Sequence, residues 1–101
     1  MINQDAAIIQ GRSARQLTVS ATAATIGPFR ETGIYDIWCD VDVWIRVAKD
    51  GSVSPSDAAS VTTTNGYKIN AGNTVPVQVN AGDIVGAIAG GAGTLNVHQT
   101  G

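Results

Sequence analysis

A chain of 101 residues that is 44% hydrophobic and 14% charged has the size of one domain and too much apolar content to stay disordered. Its net charge is −2, and the basic residues Arg12, Arg15, Arg30, Arg46, Lys49 and Lys68 are scattered, so no cluster is offered to a phosphate backbone and nucleic acid is not an expected partner. A single cysteine, Cys39, leaves no internal disulfide, and no apolar run suits a signal peptide or a membrane span, so membrane association is not expected either.

Residues 1–16 read as an N-terminal arm, and residues 17–101 as the folded domain. The arm holds Ile8 and Ile9, then Arg12 and Arg15, with neither strand alternation nor a helix cap. Such a segment buries little by itself and orders by docking, with Ile8 and Ile9 entering an apolar groove and Arg12 and Arg15 meeting carboxylates of a neighbour. "LTVSA" (17–21) predicts a strand with Leu17, Val19 and Ala21 inward, and Gly27-Pro28 breaks the chain within "TIGPF" (25–29).

One long strand is predicted over 34–47. Tyr35, Ile37, Cys39, Val41, Val43, Ile45 and Val47 make its apolar face. The opposite face carries Asp36, Trp38, Asp40, Asp42, Trp44 and Arg46, which include both tryptophans of the chain. "KDG" (49–51) reads as a turn and 52–66 as a long polar loop. "NAGNTV" (70–75) and "NAGDIV" (80–85) read as one turn unit used twice, in a meander. Between them "VPVQV" (75–79) reads as a strand in which Pro76, donating no ladder bond, takes an edge or strand-start position. "DIVGAIA" (83–89) is apolar on both faces, as a central or partner-covered strand would be. "GGAG" (90–93) predicts a hairpin turn into "TLNVH" (94–98), with Leu95 and Val97 inward. Short β-patterns between frequent turn signals predict an all-β, single small antiparallel β-sandwich of roughly seven or eight strands.

Chemistry-bearing patterns are weak. His98 is the one histidine and shares its strand parity with Thr94 and Asn96. No G-x-S-x-G or similar context surrounds a nucleophile, so no catalytic residue is assigned and an enzyme is not expected. Asp40 and Asp42 with His98 are too few ligands for a calcium loop; a solvated acidic face paired with Arg46 is the simpler reading, and no metal or cofactor is expected. "GGAG" lacks the lysine of a phosphate loop. The strongest local signal is Trp38 with Trp44. Each such ring removes roughly 150–250 Å² from water when covered, which at about 25 cal/mol per Å² is a few kcal/mol. The cover would be the chain's own arm or loop, a neighbouring subunit, or a sugar stacked on both rings with Asp36, Asp40 and Asp42 accepting bonds from its hydroxyls.

From about Val19 onward, "VSATAATIGPF", "TGIYDIWCDVDVWIRVAKDG" and "NGYKINAGNTVPVQVNAGDIVGAIAG" followed by "GTLNVHQTG" resemble small tailed-bacteriophage virion proteins, in particular the β-sandwich decoration, or cement, proteins of phage capsids. The most distinctive parts are "DVDVWIRV", the "AG" turn before the next strand and the closing "GTLNV". The resemblance implies a jelly-roll-like sandwich with an extended arm. It also implies a non-enzymatic role on the outer capsid surface, a homotrimer, the major capsid protein as partner, and synthesis in the host cytoplasm before assembly into the virion. The expected subunit or capsid interface comprises Trp38, Trp44, Arg46 and Asp42 with Ile8, Ile9, Arg12 and Arg15. The alternative is a carbohydrate-binding virion module that uses Trp38 and Trp44 as its platform.

Overall fold

The structure, a computed structural model, describes residues 15–48 and 58–101. Among them are β1 (Arg15–Val19), β2 (Ala24–Ile26), β3 (Gly33–Cys39), β4 (Val43–Ala48), β5 (Tyr67–Ile69), β6 (Thr74–Val79), β7 (Ile84–Ala89) and β8 (Gly93–Gln99). They form two four-stranded sheets, in the orders β1-β8-β3-β6 and β2-β7-β4-β5. Every pairing is antiparallel. First pairs with last in nested fashion: β1 with β8, β2 with β7, β3 with β6, β4 with β5. The chain changes sheet at every connection except the one from β4 to β5. This is the jelly-roll arrangement of a β-sandwich.

Alternation builds the core as expected except at Ala21, which lies past the end of β1 at Val19 and is exposed because the chain turns there toward β2. Ile37, Cys39, Val43, Leu95 and Val85 are fully buried between the sheets, and Leu17, Val47, Val75 and Val77 pack on them while partly exposed. β7 is central in its sheet, and β6, with Pro76, is an edge. β1 begins two residues before the expected boundary: Arg15 pairs with Val97 and Gln16 with Asn96.

The predicted strand 34–47 is not one strand. It breaks after Cys39 and resumes at Val43 in the other sheet. Two carboxylates hold the corner. Asp40 Oδ1 accepts the Thr94 N–H at 2.8 Å, and Asp42 Oδ1 accepts the Ala71 N–H at 2.8 Å. The Gly72 N–H donates to the Cys39 carbonyl at 2.9 Å. The period-2 pattern runs through the corner without a fault because both sheets face one core, so odd-numbered residues point inward before and after it.

The repeated turn is real, but it does not make a meander. Asn73 N–H bonds the Asn70 carbonyl at 3.0 Å, and Asp83 N–H bonds the Asn80 carbonyl at 2.9 Å. Gly72 and Gly82 sit at φ +82° and +93°, the left-handed third position of a type II turn. Each turn carries the chain across the sandwich, from β5 to β6 and from β6 to β7. Gly90 to Ala92 likewise leads from one sheet to the other, so the expected hairpin there is also a crossover.

At the opposite end Asp83 is 1% exposed. Its Oδ2 accepts the Asn80 N–H at 2.9 Å and its carbonyl accepts the Phe29 N–H at 2.9 Å. Phe29 meets the Tyr35 ring edge-on at 4.9 Å, and the Tyr35 hydroxyl donates to the Glu31 carbonyl at 2.8 Å. The polar end of the long loop is self-capped. Thr62 N–H donates to Asn65 Oδ1 at 2.7 Å, and Asn65 N–H returns to Thr62 Oγ1 at 3.1 Å. Beside this turn Ala58 and Val61 are buried although they stand outside the inter-sheet core. Ala58 lies over Gly86, where a side chain would collide with the Ala58 backbone.

Candidate functional site

The break at Asp40–Asp42 separates the two tryptophans. Trp38 lies on the outer face of the β1-β8-β3-β6 sheet, between Thr74 and Asn96. Trp44 lies on the outer face of the other sheet, between Lys68 and Ile88. No common platform forms, and a sugar cannot stack on both rings at once. Arg46 is on the Trp44 face, across from Gly86, and Asp42 is at the corner.

The chain itself covers much of Trp44. Lys68 Nζ stands 5.4 Å from the ring centroid and 3.7 Å from Asp42 Oδ2. Asp42 thus meets Lys68, an ion pair that is half exposed on both sides and contributes little by itself. The turn ending at Gly66 closes on the Trp44 Cβ. The cover over this ring comes from Lys68 of β5. Trp38 differs: it is 36% exposed between polar Thr74 and Asn96, and Asn96 Oδ1 accepts the Gln16 amide at 3.0 Å.

A second surface was not anticipated. Along the β5/β6 side the sandwich gapes, leaving an apolar groove of about 380 Å³. Ile45, Val47 and Tyr67 form one wall and Val75, Pro76 and Val77 the other. The cause is length. β5 has three residues against six in β4, so the second half of β4 has no β5 partner and its apolar side is left open toward β6. Tyr67 stands 62% exposed at the lip. In the sequence Pro76 marks the edge beside it, but nothing local marks the gap itself.

Ile8, Ile9 and Arg12 lie outside the described residues. Arg15 belongs to β1, and its guanidinium sits 5.6 Å from the Phe29 ring centroid, so it stacks within its own domain. His98 is on the outer face opposite Asp36; its Nε2 is buried without a hydrogen-bond partner. Cys39 is buried and free, and burial pushes its thiol pKa up, which keeps it a protonated and poorly nucleophilic core residue. Among the described residues no group of three or more His, Cys, Asp or Glu could hold a metal ion, and no helix is long and apolar enough to cross a membrane.

Asp40, through its bond to the Thr94 amide, is a structural clamp at the corner. Asp40→Ala is expected to lower stability by about 1 kcal/mol through the lost bond to the Thr94 amide, read as a lower urea midpoint with unchanged slope. An unchanged midpoint would remove Asp40 from the corner.

No protein-family model, curated protein or solved structure matches this chain.

Proposed function

We propose that the protein is a non-enzymatic structural component of a phage virion, a decoration protein that binds the outer surface of the capsid as a homotrimer and stabilises it. Support comes from the resemblance carried by Val19 to the C-terminal "GTLNVHQTG", and from the jelly-roll order, an architecture used by viral capsid and lectin domains. The observation that carries the reading is the pair of unfilled apolar surfaces on a small sandwich: exposed Trp38 on one sheet face, and the β5/β6 groove with Tyr67. Aromatic side chains left in water in this way are typical anchors of protein interfaces. The separation of Trp38 from Trp44 counts against the carbohydrate module, because its two-ring platform is absent.

In this account Trp38 meets the capsid protein, and the groove side joins copies to one another. Particles lacking the protein are expected to lose their packaged genome at lower temperature or lower salt than complete particles. Adding purified protein should restore the difference, whereas a Trp38→Ala chain should not. Equal resistance with and without the protein would overturn the cement role, and binding of defined glycans that Trp38→Ala abolishes would favour the carbohydrate module.

A further inference from the structure

We infer that the β5/β6 groove is the receptor for residues 6–10 of a neighbouring copy's N-terminal arm, with Ile8 and Ile9 inserted between the two sheets. The inference rests on the homo-oligomer proposed above, though not on the identity of the particle.

At its β6 edge the groove is built against the commonest occupant of a sheet edge, an added strand. In an antiparallel ladder successive residues point their N–H and C=O alternately toward one neighbour and the other. Ile34 directs its pair away from β6: its carbonyl accepts the Thr100 N–H at 2.8 Å, and its N–H donates to the Gly101 carbonyl at 3.2 Å. Two residues on, Asp36 has the same orientation. Its partner Pro76 therefore faces the open edge at a position where any other residue would offer a donor. An incoming strand meets a missing N–H in mid-edge, one of the ways in which sheets avoid edge-to-edge pairing. What remains is a slot for side chains, with apolar walls on both sides.

The sequence "AAIIQ" (6–10) fits that slot. Adjacent residues of an extended segment point to opposite sides. Ile8 and Ile9 can thus face the Ile45/Val47 wall and the Val75/Val77 wall together. A strand with apolar residues on one side alone would fill one wall and leave the other wet.

Reach decides whose arm it is. The arm leaves from Arg15 in β1, at the edge of its sheet opposite β6. Three strand spacings, about 14 Å, separate the two edges. Passing over the outer face and back down into the slot adds about 10 Å, half an inter-sheet spacing each way with side-chain clearance ignored. The stretch from Arg15 back to Ile9 extends to about 22 Å at most. The chain's own arm falls short, whereas a neighbour's arm meets no such limit. An arm that reaches from each copy into the next is a heterologous contact, which closes into a ring when the rotation permits, as it does in a trimer.

The test is a disulfide between the two surfaces. An Ile9→Cys/Val77→Cys chain is oxidised mildly at a concentration where light scattering has measured the oligomer, then run on a non-reducing gel. A disulfide forms only when the two Cα atoms approach within about 7 Å. Cys39 is buried and stays reduced. The expected result is bands at two and three chain masses that neither single variant gives. Thiol loss at the mass of one chain would mean the arm folds back on its own groove. No thiol loss, or equal cross-linking by a single variant, would mean the arm does not enter the groove. Each of these overturns the inference. The readout uses the isolated chain, so particle binding stands as a separate measurement: cross-linked rings that fail to bind particles would sink the decoration role and leave the arm intact.

Discussion

Gly86→Val is expected to cost about 3 kcal/mol of stability, at the upper end of ordinary overpacking. Gly86 is buried in the middle of β7, with Thr25 beside it on β2 and Arg46 on β4. An added Cβ would lie 2.6 Å from the Ala58 carbonyl carbon and closer still to its oxygen. Backbone cannot yield as a flexible side chain can, so the Ala58 turn must lift from the sheet. Lifting it uncovers Val61, which is 2% exposed, and loosens the Gly66 contact on Trp44. Urea unfolding should show the loss, and tryptophan fluorescence should move to longer wavelength before the transition. A loss under about 0.5 kcal/mol, the range of an ordinary surface change, would mean that nothing sits on Gly86.

Leu95→Ala is expected to cost about 3–4 kcal/mol, as truncations of fully buried leucines do. Leu95 is 0% exposed and stands between Leu17 and Cys39 in the register of its sheet. Because β1, β8 and β3 are held together around it, little can move in to fill the space. Domains of this size are stable by roughly 5–15 kcal/mol, so the variant should still fold in the cold but melt far earlier. Val77→Ala supplies the contrast. Val77 already faces the groove and is partly exposed, so its truncation should cost about 1 kcal/mol or less by the smaller area removed from water. Equal losses at the two positions would contradict the placement of the groove.

The inward set was legible in the sequence because alternation is a backbone property that survives any sheet topology. Leu17, Val19, Ile37, Cys39, Leu95 and Val97 all face the core. Pro76 marked an edge, and the doubly apolar "DIVGAIA" marked a central strand, with the loop turn at Ala58 as its outer cover. The corner at Asp40–Asp42 was not legible. Nothing in the alternation changes there, and the two aspartates act on the amides of Thr94 and Ala71, far along the chain. Missing that corner placed Trp38 and Trp44 on one face and made a platform that the fold takes apart. The groove was hidden for a related reason. It depends on a mismatch in length between β4 and β5, which becomes visible only when the two are paired.

The most direct test of the proposed role is a density map of the intact particle, compared with a map of particles lacking this protein. Difference density is expected on the outer surface of the head shell, in rings of three sandwiches, with the Trp38 sheet face toward the capsid protein. Difference density confined to the neck or tail, or no difference at all, would contradict it.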